Sequence, residues 1–294
     1  MILDKSREEN NSCILKISLF LANFGHMNYL NYLSENIDSL DASIFVMNQQ
    51  IENEIPLHSH ERGQLLLVFG GIAYLQTDTT NYYIPSHHYI WIPKLQPHRI
   101  LFNTKDLHIQ NIYFVDENDL EHPFYQKLGI YPVSPLLHEM LHFTIGWDGN
   151  AFPGTWKYEL LLTMKHLLSN ENLKRFSIQL PTTTDKKTLE IIQYLRDNIH
   201  ESMTLPEVSL FFGLSVRSMT RLFQQKLHIS FVQYLKMLRV IRSMELMRDS
   251  NMNITEIAYS IGYSSLSAFS NVFHQLTNMR PKDFQIMVSL KARY

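Results

Sequence analysis

A single cysteine, Cys13, stands among 294 residues. An intrachain disulfide is therefore excluded, and the chain is expected in a reducing, cytoplasmic compartment. Long apolar runs are missing too: no stretch approaches the ~20 apolar residues that span a bilayer, so no membrane partner is expected. Residues 13–24 come nearest, but Lys16 interrupts them and Glu8-Glu9 stand where a secretory leader carries positive charge. That run reads as an N-terminal strand or helix of a folded domain. Nor does one sign of charge dominate, at −2 overall. The near-neutrality hides a division: residues 185–294 hold 14 Lys and Arg against 9 Asp and Glu, a net of +5, and the remainder holds 12 against 19, a net of −7. With 45% hydrophobic residues the chain is long enough for two cores.

What is present is a duplication near the C-terminus. Residues 205–226 and 254–276 superpose at an offset of fifty. In the first, Met219, Leu222 and Phe223 form an apolar stripe at helical spacing, with Arg217, Thr220, Arg221 and Gln224 on the opposite face. Phe269, Val272, Phe273 and Leu276 repeat the stripe in the second, and Ser267, Ser270, Asn271 and His274 repeat the polar face. Each pattern reads as a helix-turn-helix whose second helix is held by its apolar back while its polar front is free to enter a major groove. The turns agree. Gly213 permits a tight bend before the N-cap Ser215, and Gly262 does the same before Ser264. Residues 231–247 between the copies read as one amphipathic helix, with Phe231, Leu235, Leu238, Ile241 and Leu246 mostly on one side. A rigid spacer of this kind would set two readers in successive major grooves, about 34 Å apart.

This stretch resembles the DNA-binding domain of the AraC/XylS-type bacterial transcription regulators. The residues that carry the resemblance are Leu205-Pro206-Glu207-Val208, Gly213-Leu214-Ser215-Val216-Arg217, Arg221-Leu222-Phe223, Ser230-Phe231, Tyr234-Leu235 and Arg239. The second half adds Ile254-Thr255-Glu256-Ile257-Ala258, Gly262-Tyr263, Ala268-Phe269-Ser270, Phe273 and Pro281-Lys282-Asp283-Phe284. The chain departs from the family at His228 and Asn278, where glycine is usual, and at Gln285, where arginine is usual. Asparagine enters the left-handed region readily and histidine tolerates it. Losing the arginine removes either a surface ion pair or a phosphate contact. The resemblance implies double-stranded promoter DNA and RNA polymerase as partners, a homodimer, and activation more often than repression.

Arg217 and Arg221, one turn apart, suit bidentate pairing with guanine O6 and N7. Thr220 is placed for a thymine methyl, and Gln224 for a base edge or a phosphate. One of the arginines binding phosphate alone remains open, since half or more of DNA contacts go to the backbone. Leu266, Ser267 and Asn271 hold the front of the second copy, which lacks arginine. The first helix is therefore expected to carry most base discrimination, and the second to position the protein or read shape.

Residues 43–115 read as all-β, with short aromatic and branched runs at 65–69, 72–76, 82–84, 88–92 and 109–115 and turn signals at Gly70-Gly71 and 78–81. Within them lie His58, His60, Gln64 and Gly71, then Pro93, Pro97 and His98. This arrangement resembles the paired motifs of the cupin barrel, with Gln64 in the place of glutamate and Leu95 in the place of the second glycine. Histidines at i and i+2 of a strand point the same way and, with a third, would hold a divalent metal. Glutamine is a poorer ligand than glutamate, and sensor barrels of the resembled family usually bind small effectors without metal, so neither metal nor other cofactor is expected. His58, His60, Gln64, Trp91 and His98 are the candidate effector-binding residues. Tyr74 and Tyr89 are further candidates, because strand register is not fixed by the sequence.

Residues 116–180 carry helical patterns with proline breaks at Pro123, Pro132, Pro135 and Pro153. Their most regular segment, 156–168, has a broad apolar face formed by Trp156, Leu160, Leu161, Met164, Leu167 and Leu168, which either dimerises or covers the barrel. Residues 180–184 read as a linker, with Thr184 or Asp185 capping the next helix. The expected fold class is α+β: a cupin-like effector-sensing barrel (1–115), a helical dimerisation and linker region (116–184), and an all-α domain with two helix-turn-helix units (185–294). The expected function is a sequence-specific transcription regulator, activating and controlled by a small-molecule effector. Two other readings are a metal-dependent cupin enzyme with an accessory helical domain, which stoichiometric metal would favour, and a regulator whose barrel is purely structural, which a barrel without a cavity would favour.

Overall fold

The computed structural model describes residues 34–38, 43–50, 55–69, 72–102, 108–115, 119–170 and 178–289. Residues 13–24, with the strand or helix expected there, lie outside the described residues. The chain divides into two compact units, one of Met1–Phe69 with His87–Lys174, the other of Gly70–Ser86 with Arg175–Tyr294.

The strands in chain order are β1 (Ile44–Gln50), β2 (Ile55–His58), β3 (Gly63–Phe69), β4 (Ile72–Gln76), β5 (Thr80–Pro85), β6 (His88–Ile92), β7 (His98–Phe102), β8 (His108–Phe114), β9 (Gly129–Pro132), β10 (Gly149–Ala151) and β11 (Gln179–Pro181). In the first unit, six of them form an antiparallel sheet in the order β10-β1-β8-β3-β6-β9, and β2 pairs with β7. With β10 and β9 as its edges, the sheet is open, where the sequence suggested closure into a barrel. Strand β3 is buried along almost its whole length, as an apolar run covered on both faces must be.

The two faces differ in what they meet. Leu65, Leu67, Tyr89, Trp91, Ile112 and Phe114 share one core with Leu137 and Leu141 of helix α1 (Pro135–Phe143) and with Leu161, Met164 and Leu168 of helix α2 (Trp156–Asn170). Pairing of Leu65 with Trp91 and of Gln64 with Ile92 and Tyr113 places Gln64 and Tyr113 on the opposite face. Pro135, read from sequence as a break, instead begins α1, where its missing N–H costs nothing, and Ser134 caps the helix by accepting from the Leu137 amide. Strands β9 and β10, in a region expected to be wholly helical, supply the sheet's two edges. The apolar face of α2 is spent on covering the sheet. Its Lys165 is buried too, pairing with Asp119 at 2.6 Å and donating to the Val115 carbonyl at 2.6 Å.

The second unit joins the β4–β5 hairpin and β11 to seven helices: α3 (Lys186–Asp197), α4 (Leu205–Phe211), α5 (Val216–Leu227), α6 (Phe231–Asp249), α7 (Ile254–Ser260), α8 (Leu266–Thr277) and α9 (Pro281–Ser289). The hairpin packs with the helices, where the Tyr74 hydroxyl donates to Glu245 Oε1 of α6 at 2.7 Å. The segment read as a linker, 180–184, begins inside a strand, β11 pairing with β5 while Leu180 is fully buried. Asp185 caps α3 through the Thr188 amide, as one of the two expected residues.

Helix α6 buries Phe231, Leu235, Leu238 and Ile241 as expected, but also Tyr234, Val240, Met244 and Met247. A helix packed by several other elements of its unit needs apolar residues on more than one side, so a single stripe understates it.

Candidate nucleic-acid interface and histidine cluster

The two readers are built from local rules. Thr204, Ser230 and Asn253 each close a capping box, with Glu207, Gln233 and Glu256 returning a bond to the cap amide. Ser215 caps α5 through the Ser218 amide and Ser265 caps α8 through the Ala268 amide. Helices α5 and α8 keep the fifty-residue offset, while the preceding caps Thr204 and Asn253 and the turn glycines Gly213 and Gly262 lie forty-nine apart. The second turn is thus one residue longer, and its cap is Ser265 where sequence suggested Ser264. His228 and Asn278 end α5 and α8 at φ of 54° and 58°, the left-handed conformation that glycine adopts most readily. Gln285 donates to the Met252 carbonyl at 3.0 Å and so ties α9 to the segment ahead of α7.

Met219 and Phe223 of α5 are fully buried, with the Phe223 ring against Phe231 and Tyr234 at 5.3 and 5.7 Å. Phe269 and Phe273 do the same for α8, with Phe273 against Phe284 at 5.5 Å. Opposite these anchors Arg217, Thr220, Arg221 and Gln224 are exposed, as are Leu266, Ser267 and Asn271. The hydroxyl of Thr220 donates to the Val216 carbonyl at 2.9 Å, which turns it back on its own helix. Arg217 and Arg221 engage no hydrogen bond or ion pair among the described residues.

Arg239 of α6 locks the second turn in place, a role its sequence did not disclose. Its Nη2 donates to the Glu201 carbonyl at 2.7 Å and its guanidinium lies 5.4 Å from the Tyr263 ring centroid. Gly262 sits beneath it at φ 80°; a Cβ there would lie 2.6 Å from Arg239 Nη2 and 2.7 Å from the Glu201 carbonyl oxygen.

The first unit gathers His58, His60, Gln64 and His98. Ring centroids lie 4.3 Å apart for His58 and His98, 5.3 Å for His60 and His98, and 5.9 Å for His58 and His60. Nδ1 of each ring meets a backbone carbonyl: Pro56 at 2.8 Å for His58, Arg62 at 2.6 Å for His60 and Gln96 at 2.8 Å for His98. Leu95 takes φ 61° where the resembled motif has glycine, and its amide donates to the His60 carbonyl at 2.8 Å. Burial first, and mutual repulsion with it, pulls His98 well below the usual imidazole range; burial brings His58 down to about 4 and also lowers His60. All three rings are therefore neutral at pH 7.

Gln64 Oε1 lies 2.9 Å from His60 Nε2, and Gln64 Nε2 donates to Asn111 Oδ1 at 2.7 Å. Asn111 and Tyr113, from β8, complete the surroundings and were not recognised from sequence, since nothing local marks residues that pairing with β3 brings in from far along the chain. Trp91 is not part of the group. It lies in the helix-covered core on the other face and donates from Nε1 to the Tyr125 carbonyl at 2.9 Å. Tyr89 shares that core, and Tyr74 belongs to the second unit.

Residues 209–286 match a family model described as a helix-turn-helix domain. The transcriptional activator RhaS of Escherichia coli O1:K1 is 24% identical over 261 residues, which cover 83% of this chain and 92% of RhaS. Among solved structures, the C-terminal domain of AraT from Geobacillus stearothermophilus is 24% identical, covering 38% of this chain and 94% of that one at a TM-score of 0.36. ToxT from Vibrio cholerae is 14% identical, covering 83% and 97% at a TM-score of 0.35. The chain is a DNA-binding transcription regulator carrying a helix-turn-helix domain. Among the described residues no helix is long and apolar enough to cross a membrane.

Proposed function

We propose that the chain is a cytoplasmic, effector-controlled activator whose α5 reads promoter sequence through Arg217 and Arg221. Two arginines one turn apart, exposed and unengaged on a capped and anchored helix, carry this reading. Thr220 presents its methyl group because its hydroxyl is committed to Val216, and Gln224 extends the same front. Leu266, Ser267 and Asn271 of α8 position the domain on the next groove. Activation, with RNA polymerase as partner, follows from the similarity to RhaS, which is named an activator. Residues 1–115 serve as effector sensor, 116–184 as dimerisation and linker region, and 185–294 as reader. A small-molecule effector is held at the face bearing His58, His60, Gln64 and His98.

Dimerisation uses only the Trp156 end of the expected surface. Leu161, Met164 and Leu168 are committed to the core and Leu160 packs against it, whereas Leu136, Phe143 and Trp156 remain 56, 60 and 62% exposed. A second copy seated on that surface pairs two readers, as paired half-sites require. Selection of the whole chain on a randomised duplex library tests the proposal. The expected outcome is an enriched site containing guanine in one of two segments about one helical turn, roughly 10 base pairs, apart. Absence of any enriched site overturns it. Sedimentation of Trp156→Glu, monomeric where the parent is dimeric, tests the assembly.

A further inference from the structure

We propose that His58, His60 and His98, with the amide oxygen of Gln64, form a binding site for one divalent transition-metal ion. The sequence alone weighs against a metal, because Gln64 stands where glutamate would. The arrangement of protons in the cluster argues for one.

A carbonyl oxygen cannot donate, so each of the three rings must carry its proton on Nδ1, where it meets Pro56, Arg62 or Gln96. A neutral ring so fixed leaves its lone pair on Nε2, the arrangement by which an outer carbonyl orients a ligating histidine. One ring nitrogen from each of the three lies within 4.8 Å of the others. Metal–nitrogen bonds of about 2.1 Å at tetrahedral angles place nitrogens roughly 3.4 Å apart, so the rings need close by at most about 1.4 Å from the 4.8 Å limit. His98 Nε2 is buried and has no hydrogen-bond partner among the described residues. Leaving a buried polar atom in that state costs free energy that an ion would recover.

Gln64 supplies the second argument. With the His60 proton on Nδ1, Nε2 is an acceptor, and it faces another acceptor, Gln64 Oε1, at 2.9 Å. Two lone pairs at that distance repel, and a cation shared by both relieves the repulsion. Without one, either a second proton must sit on His60 Nε2 or the Gln64 and Asn111 amides must turn over together, because Gln64 Nε2 already donates to Asn111 Oδ1. Asp38 acts on His60 electrostatically but its Oδ1 accepts from the Glu61 amide. Three imidazoles and one amide oxygen favour Zn²⁺, Co²⁺, Ni²⁺ or Fe²⁺ over Mg²⁺ or Ca²⁺, which prefer carboxylate and water. Such an ion would keep its full positive charge, since no ligand is anionic.

The test uses the full chain, freed of metal by a chelator and titrated with Zn²⁺ and with Co²⁺. One equivalent is expected to survive desalting, to raise the melting temperature and, for Co²⁺, to give ligand-field absorption bands characteristic of nitrogen-rich coordination. The double variant His58→Gln/His98→Gln should bind more than about 10-fold more weakly, the lower end of losses seen when metal surroundings are altered. Gln64→Glu should bind more tightly than the parent; if the cluster were merely structural, the same change would bury an unpaired carboxylate, lowering the melting temperature and leaving affinity unchanged. Should the histidine variants fail to fold, the parent stoichiometry, the Co²⁺ spectrum and Gln64→Glu decide. No retained equivalent of any of the four ions overturns the proposal. So does binding that survives the double variant, or that follows His138→Ala, whose ring lies beside those of His87 and His142.

Discussion

Truncating Arg217 or Arg221 to alanine isolates the chemistry of reading from that of folding. Neither side chain engages a partner among the described residues, both are exposed, and both lie opposite the buried Met219 and Phe223. Alanine has the higher helix propensity, so α5 should keep its stability to within about 0.5 kcal/mol. All of the loss then appears in binding. An arginine pairing bidentately with guanine is worth about 1–3 kcal/mol of discrimination, or roughly 5- to 140-fold in affinity at about 1.4 kcal/mol per decade. That loss is confined to one base pair of the site, where preference relaxes. An arginine on phosphate alone gives a different signature: every sequence weakens alike, and the slope of log K against log salt falls by about one.

Fluorescence anisotropy on the selected operator and its single-base variants, at several salt concentrations, separates the two. Asn271→Ala is expected to cost less than either arginine, because α8 offers no charged group at its front. The reasoning fails if neither arginine variant changes base preference while Asn271→Ala does. It also fails if either arginine variant melts several degrees below the parent.

The two turn glycines should respond unequally to alanine. Both have positive φ, 64° at Gly213 and 80° at Gly262, costing about 1–2 kcal/mol for an L side chain. Only at Gly262 would the Cβ strike fixed backbone, the carbonyls of Glu201 and Ile199 at 2.7 and 2.9 Å, so thermal melts should place Gly262→Ala clearly below Gly213→Ala. Asp119→Ala should leave Lys165 buried without its partner and cost about 3–5 kcal/mol in chemical denaturation. Lys165→Met paired with that change should recover much of the loss, since a thioether needs no counter-charge.

How much could be read in advance follows from how local the determining physics is. The recognition helices were legible in their place and in the face they bury, because helical spacing, serine caps and a turn glycine all lie within a dozen positions of one another. The one error there, Ser264 for Ser265 as the cap, came from assuming equal turns. The histidines were legible as a group because His58 ends a strand, His60 follows it by two residues and His98 opens the partner strand. Trp91 was not separable from them. Its side depends on parity with Leu65 across the β3–β6 ladder, and a slip of one residue would reverse it. Strands of three or four residues such as β9, β10 and β11 carry too little alternation to be seen, and their places are set by edges available to pair. The apolar face of α2 was legible as buried, but nothing along the chain says whether a sheet or a second copy buries it.

The place of the β4–β5 hairpin bears on where the reader can be cut from the rest. A fragment of residues 185–294 contains both helix-turn-helix units and every proposed reading residue, so it should select the same sites as the whole chain. It lacks Tyr74, whose hydroxyl donates to Glu245 on α6, and Tyr83, whose buried ring neighbours that of Tyr74 at 5.1 Å. Glu245 would retain only Arg242, at 2.8 Å on its other oxygen. Losing the Tyr74 bond costs about 0.5–1.5 kcal/mol. The loss of cover from β11, which packs on the same helix, adds to it. Hydrogen exchange should therefore show α6 less protected in the fragment than in the whole chain, while α8, anchored by Phe269, Phe273 and Phe284, changes little. Tyr74→Phe in the whole chain should reproduce the hydrogen-bond share of the effect without altering site preference. Equal protection of α6 in fragment and whole chain would mean that the hairpin rests on the helices without stabilising them.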